Sequence, residues 1–102
     1  MKIFWYERAI NDLKEIYEYY FIRSFSVALK FNKQVLKEIA RLQKSPLIGQ
    51  IDRTISDDEV EIRSLVVFNG LYKVLYAIRN DQIEIYRIWA CRKNPVSIEI
   101  NH

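Results

Sequence analysis

The chain has 102 residues, 50% of them hydrophobic and 28% charged, with a net charge of +3. That size and balance fit one small globular domain that can bury a core without metals or disulfides, and exclude a disordered or low-complexity chain. Its single cysteine forms no internal disulfide, its longest apolar runs (YYFI and LVVF) are too short to span a bilayer, and the opening MKIFWYE lacks the apolar core of a signal peptide, so a reducing cytoplasm is expected.

Charge is uneven along the chain. Residues 1–60 carry ten basic side chains against nine acidic, residues 61–102 carry six against four, and from Arg87 to Lys93 three basic residues meet no acid. An anionic partner near the end of the last strand could use that stretch. On charge alone, an ordinary solvated surface is the better account.

Residues 2–6, KIFWY, read as a short strand. In ERAINDLKEIYEYYFIRS, Ile10, Leu13, Tyr17 and Tyr20 recur at helical spacing. Ser24 or Ser26 can cap a second helix. There Ala28, Phe31, Val35, Ile39 and Leu42 form one apolar stripe, with Lys30, Lys33, Lys37 and Arg41 off it. Ser45-Pro46 ends that helix, because proline pushes the preceding residue out of the helical region. A helical hairpin therefore follows the first strand. Residues 45–60 are an irregular connection. Its acids Asp57-Asp58-Glu59 lack the loop glycine and distant ligands of a cation site, so they read as a solvated turn and no metal or cofactor is expected.

Three strands close the chain. Asn69-Gly70 is a strong signal for a type I′ hairpin turn, since both residues tolerate positive φ, and Asn80-Asp81 makes a second turn. The expected fold is α+β, one domain over residues 1–102 in the order β-α-α-β-β-β, with a twisted antiparallel sheet packed on one face by a helical hairpin.

Two-residue turns fix register, and register fixes faces. Val67 should oppose Tyr72, Leu65 Val74 and Arg63 Tyr76. Beyond the second turn, Ile78 should oppose Ile83, Tyr76 Ile85, Val74 Arg87 and Tyr72 Trp89. The face holding Leu65, Val67, Tyr72, Val74, Tyr76, Ile78, Ile83, Ile85 and Trp89 should pack on the helices. Arg63 and Arg87 are its exceptions, expected at an edge or paired with a helix acid such as Glu15 or Glu18. The other face holds Val66, Phe68, Leu71, Leu75 and Ile88 among Lys73, Arg79, Glu84 and Tyr86. Left bare, it exposes more apolar surface than a monomer usually tolerates. A foreign partner, a further covering element, or a second copy would account for it.

The ordered set of motifs resembles the RelE/ParE superfamily of type II toxin–antitoxin toxins over nearly the whole chain. The matching residues are the opening strand with its Trp5, the A-x-x-D-L-x-x-I pattern of Ala9, Asp12, Leu13 and Ile16, the Y-x-V-x-Y run from Tyr72 to Tyr76, and Ile88-Trp89 leading into CRKNP, Cys91 to Pro95. The resemblance implies a small twisted sheet with a helical hairpin. It also implies a cognate antitoxin that wraps the toxin, in a heterotetramer or beside a toxin homodimer, and a role in plasmid stabilisation or growth arrest. On this reading Val66, Phe68, Leu71, Leu75 and Ile88 are the antitoxin-binding residues.

The superfamily divides by target. RelE-like members cut mRNA on the ribosome, whereas ParE-like members inhibit DNA gyrase by binding. RNA cleavage needs a base for the 2′-hydroxyl, cations for the transition state and an acid for the leaving oxygen. Lys73 falls where the resemblance places an arginine of the ribonucleases, but lacks the planar fork that grips phosphate. Arg92-Lys93 resembles their dibasic end. Asn94-Pro95 then stands where a ribonuclease carries proton-transferring or cationic groups, and His102 is the only histidine. Tyr86 is the one candidate acid on the open face, and Cys91 lacks a base to activate it. The set Lys73, Arg92 and Tyr86 is therefore incomplete for catalysis, while Lys73, Arg79, Arg92 and Lys93 suit target binding. The expected protein is a ParE-like toxin that binds gyrase and cuts nothing. The alternatives are a RelE-like endoribonuclease and an inactive paralogue serving as an interaction module.

Overall fold

The structure, a computed structural model, describes residues 1–57 and 59–93. Strand β1 (Lys2–Trp5) leads into helices α1 (Glu7–Arg23) and α2 (Phe25–Arg41), then a two-residue β2 (Gln50–Ile51) and the meander β3 (Arg63–Val67), β4 (Tyr72–Arg79) and β5 (Gln82–Ala90). The strands form one open sheet in the order β1-β5-β4-β3-β2. The α+β order and helical hairpin are as expected. The additions are short β2 and the parallel pairing of β1 with β5, with Ile3 beside Ile83 and Trp5 beside Ile85.

Ser24 alone joins the helices. Its backbone N–H donates to Tyr20 O at 2.7 Å, closing α1. Its Oγ accepts from Val27 N at 3.4 Å, opening α2. The α2 stripe is as read: Ala28, Phe31, Val35, Ile39 and Leu42 are all buried. In α1 the stripe lies one step round from the expected one. Ala9 is buried, and Leu13, Ile16 and Tyr20 pack against the core, while Ile10 stays exposed.

Both turns form where the sequence puts them. Asn69 (φ 56°) and Gly70 (φ 80°) make one, closed by Leu71 N–H donating to Phe68 O at 3.1 Å, and Asn80 (φ 53°) and Asp81 (φ 58°) make the other. The β3–β4 register is as expected, with Val67 opposite Tyr72, Leu65 opposite Val74 and Arg63 opposite Tyr76.

The faces then depart from the alternating pattern at two places. At Phe68 the backbone takes φ 50°, strained for a bulky residue, and turns the ring onto the helix side. There it lies 5.3 Å from the Phe31 ring and 5.7 Å from that of Tyr20. In β5 the register shifts: Tyr76 still opposes Ile85, but Leu75 opposes Arg87, so Tyr86 is an extra residue in a β-bulge. Val74 then opposes Ile88 and Tyr72 opposes Ala90, in place of Arg87 and Trp89. Ile88 joins the helix-side core, and Trp89 joins the opposite one.

That opposite face is not bare. Leu75, Ala77, Tyr86 and Trp89 form a second core with Val60 and Ile62, flanked by Ile55 and Tyr6. The segment between β2 and β3 folds over it, tied by Asp52 N–H to Ile62 O at 2.7 Å. Ser56 Oγ donates to Asp52 O at 2.7 Å and accepts from Ile62 N at 2.9 Å. This is the covering element that hydrophobic periodicity did not reveal, because its apolar residues are irregularly spaced.

The bulge is held from outside the sheet. Arg87 stands where β1 no longer flanks β5, and its Nε and terminal nitrogen donate to the Asp12 carboxylate at 2.7 and 3.0 Å. Asp12 also accepts the Ile88 N–H at 3.0 Å. The partner is thus a helix acid, as expected, but Asp12 rather than Glu15 or Glu18. Arg63 instead donates to the backbone oxygens of Leu47 and Gly49. Both Arg87 and Asp12 are largely buried, so removing one costs the other its charge-paired hydrogen bonds. Asp12→Ala is expected to cost about 3 kcal/mol of unfolding free energy, read by urea denaturation; a loss below about 0.5 kcal/mol, the size of a surface ion-pair effect, would show that the clamp contributes little.

Candidate target-binding groove

The basic end of β5 meets α1 in a groove of about 180 Å³. On the helix side Asp12, Ile16 and Tyr19 recur one turn apart, so they share one face and line it. On the sheet side are Tyr72, Arg87, Ile88, Trp89 and Ala90, and Arg92 and Lys93 close the end. The volume is below that of an ordinary small-molecule site. It suits a partner's side chain or one anionic group.

After β5 the chain turns back on itself. Cys91 N–H donates to Leu71 O at 3.0 Å and Lys93 N–H to Ala90 O at 2.9 Å. Trp89 Nε1 reaches Lys93 O at 3.4 Å. The turn places the Lys93 ammonium 5.3 Å from the Trp89 ring centroid, with the Arg87 guanidinium 5.1 Å from the same ring. Arg92 and Lys93 are exposed, as is the Cys91 thiol. Tyr72 hydrogen-bonds Tyr20 through the hydroxyls at 3.0 Å. Burial, and then that bond, push the Tyr72 hydroxyl well above its ordinary range, with Arg92 opposing. It therefore stays protonated at neutral pH.

The other sequence-derived cations lie away from this groove. Lys73, on β4, donates to Asp52 at 3.2 Å with both side chains largely buried. Arg79 lies 3.9 Å from Glu84 and donates to the Tyr86 hydroxyl at 3.5 Å. Tyr86 is not on an open face. It is 2% exposed, stacked 4.8 Å from Tyr6, and donates to Glu84 Oε1 at 2.9 Å. Burial pushes its hydroxyl up, with Arg79 opposing and Glu84 adding to the rise. Phe68, Leu75 and Ile88 are core residues, which leaves only Val66 and Leu71 of the expected antitoxin-binding set exposed. The turn at Phe68, the bulge, and the segment covering Leu75 account for the three. Asn94-Pro95, His102 and Asp58 lie outside the described residues, and no metal-binding cluster occurs among those described.

The sequence does not mark Tyr19 and Tyr72 as site residues. The i, i+4, i+7 spacing of Asp12, Ile16 and Tyr19 was the available signal, and it was masked by the stronger apolar stripe beside it.

A family profile described as "ParE toxin of type II toxin-antitoxin system, parDE" matches residues 3–95. Among solved structures, a chain described as the chromosomal ParDE TA system from P. aeruginosa aligns at TM-score 0.74 and 22% identity, over 88% of this chain and 95% of that one. At that identity the likeness is one of fold. No curated protein matches the sequence.

Asp52 organises the covering segment and gives it a pH dependence. Burial raises its carboxyl, but bonds from the Thr54 side chain and backbone, then Lys73 and Ser64, outweigh that and hold it below its ordinary 3.8. A carboxyl depressed in the folded state contributes stability that is present above its unfolded pKa and lost as pH falls through the folded one. Wild type is therefore expected to lose more unfolding free energy than Asp52→Asn between about pH 5 and pH 2. Urea denaturation at both pH values measures this, and equal losses would remove Asp52 as the anchor.

Proposed function

We propose that this chain, which belongs to the ParE toxin family and so is the toxin component of a ParDE-type toxin–antitoxin system, arrests bacterial growth by binding its target rather than by cutting RNA. The family-implied target is DNA gyrase, in the cytoplasm, and a cognate antitoxin neutralises the toxin. Plasmid or chromosomal maintenance follows from such a pair. No described helix is long and apolar enough to cross a membrane.

The supporting observation is how the would-be catalytic groups are used. A ribonuclease needs Lys73, Arg92 and a proton-transferring side chain to converge within about 10 Å on one concave surface, close enough to span a phosphodiester. Here Lys73 is held by Asp52 beneath the covering segment, and Tyr86 is buried against Glu84 and Tyr6. Arg92 and Lys93 instead line the groove beside α1. What remains there is an aromatic and basic surface beside the Glu15 carboxylate, with Tyr19, Tyr72 and Arg92, the residue types that anchor protein interfaces. Target binding thus falls to Arg92 and Lys93 more than to the paired Lys73 and Arg79.

For the antitoxin, exposed Val66 and Leu71 flank the end of β3. Strand β2 pairs only with Arg63 and Ser64, and no other described strand pairs with the outer edge of Leu65–Val67. An extended segment can add there by main-chain hydrogen bonds.

RelE-like cleavage is the second reading: Tyr72 lies beside Arg92 at the groove, although the burial that keeps its hydroxyl protonated also makes it a weak acid. The test separates the two. Purified toxin is expected to inhibit gyrase supercoiling and to leave no new 5′ ends on mRNA in stalled ribosomes. Arg92→Ala/Lys93→Ala is expected to weaken inhibition at least about tenfold, equivalent to roughly 1.4 kcal/mol of binding. mRNA cleavage abolished by Lys73→Ala/Arg92→Ala would overturn the binding reading. Growth arrest without gyrase inhibition would sink gyrase as the target, and a protein inert in every assay would be an inactive paralogue.

A further inference from the structure

The dibasic pair after β5 is not held symmetrically. Both side chains are exposed, but Lys93 is tied to Trp89 at two points. Its carbonyl accepts the indole Nε1–H at 3.4 Å. Its ammonium lies 5.3 Å from the ring centroid, inside the roughly 6 Å over which a ring face attracts a cation. Its own N–H closes the turn by donating to Ala90 O at 2.9 Å. Arg92 has none of these ties, and it forms no ion pair among the described residues. It borders the groove beside α1, and also a second hollow of about 450 Å³ with Tyr19, Tyr20, Leu71 and Tyr72, which Lys93 does not line. Its charge reaches the Tyr72 hydroxyl, where it opposes the rise caused by burial.

Trp89 is a fixed anchor rather than a passive neighbour. It is 6% exposed and packs in the second core with Val60, Ile62 and Leu75, so its ring cannot follow Lys93 into solvent. A buried indole N–H needs an acceptor, and the Lys93 carbonyl supplies one. The Arg87 guanidinium lies 5.1 Å from the same ring. Two cations beside one ring repel each other unless one of them is neutralised. Asp12 neutralises Arg87, which leaves the ring able to hold the Lys93 ammonium. The second core, the bulge clamp and the turn thus converge on one indole.

We propose that Trp89 divides the work of the pair: it is the positioning residue that holds Lys93 as the structural half of the turn, and it thereby presents Arg92 as the specificity-determining contact with the target. This rests on the reading of the groove as the target-binding surface. The two cations are then not interchangeable. Arg92 works through its planar fork, which can grip an oxyanion at two points, and a lysine in its place supplies the charge without the fork. Lys93 works through where its main chain goes, and its ammonium steadies that path against the indole.

The test compares full-length variants by gyrase supercoiling and by growth arrest on induced expression without antitoxin. Arg92→Lys is expected to weaken inhibition at least about tenfold, and Lys93→Gln by about a third of that or less. Both positions are exposed, so neither change threatens the fold. Equal losses, or a larger loss for Lys93→Gln, would overturn the proposal. Trp89→Phe keeps a ring and Trp89→Leu does not, so the leucine variant should lose at least about fivefold more inhibition than the phenylalanine variant. NMR reads the positioning without any target. The Lys93 side-chain methylene protons should be shifted upfield by the ring current in wild type and in Trp89→Phe, and should return to ordinary positions in Trp89→Leu. Ordinary Lys93 shifts in wild type would remove Trp89 as the positioning residue. A wild type that arrests growth but leaves gyrase uninhibited would sink gyrase alone, and the Arg92→Lys and Lys93→Gln comparison made on growth arrest would still decide the division of roles.

Discussion

One carboxylate sets the form of the sheet's basic end. Asp12 takes two hydrogen bonds from Arg87 and a third from the Ile88 backbone, so it fastens α1 to β5 immediately after the bulge. A bulge by itself leaves a residue without a ladder partner and bends the strand. With Asp12 satisfying the Ile88 N–H, the strand can carry the extra Tyr86 and still continue to Ala90. The consequences run both ways through the sheet. Ile88 turns into the helix-side core, Trp89 and Tyr86 turn to the other side, and the chain reaches Arg92 and Lys93 with both cations beside α1.

The second core follows from the same shift. Tyr86 and Trp89 would be an exposed aromatic pair without the segment that carries Ile55, Val60 and Ile62 across them. Polar bonds rather than regular structure hold that segment, and they centre on Asp52, which takes in Thr54, Ser64 and Lys73. A basic side chain in the middle of a sheet is therefore used here to anchor a loop. Lys73 is thereby committed to a structural pair. A charge neutralised by a largely buried partner is poorly placed to stabilise a transient phosphorane, and releasing it would mean lifting the cover from the second core.

Much of the fold was legible in the sequence because it rests on local chemistry. The five-residue stripe from Ala28 to Leu42, the cap at Ser24 and the two turns with positive φ are short-range features, and each formed at its expected place. Face assignments held as far as register could be counted from a turn, through Tyr76 opposite Ile85. They failed beyond it because the bulge depends on Asp12, 75 residues away in sequence. Phe68 failed for a related reason: the aromatic pocket of Tyr20, Phe31 and Tyr72 offsets a strained φ that no local preference favours. For the candidate site, the dibasic Arg92-Lys93 was legible as a surface feature. Tyr19 and Tyr72 were not, since an aromatic at helical or strand spacing reads as core until the partner element is placed.

The single-residue joint at Ser24 bears on how such a protein can change over evolutionary time. Each residue of an α-helix advances its face by about 100°. An insertion or deletion at Ser24 would rotate all of α2 against α1, taking Phe31, Val35 and Ile39 out of the core together. The hairpin is thus intolerant of length variation at its tip. Changes in chain length should collect instead between the end of α2 and the start of β3, where irregular backbone can lengthen or shorten without rephasing a helix. Divergent lineages can then keep the hairpin register fixed while remodelling the cover over the second face.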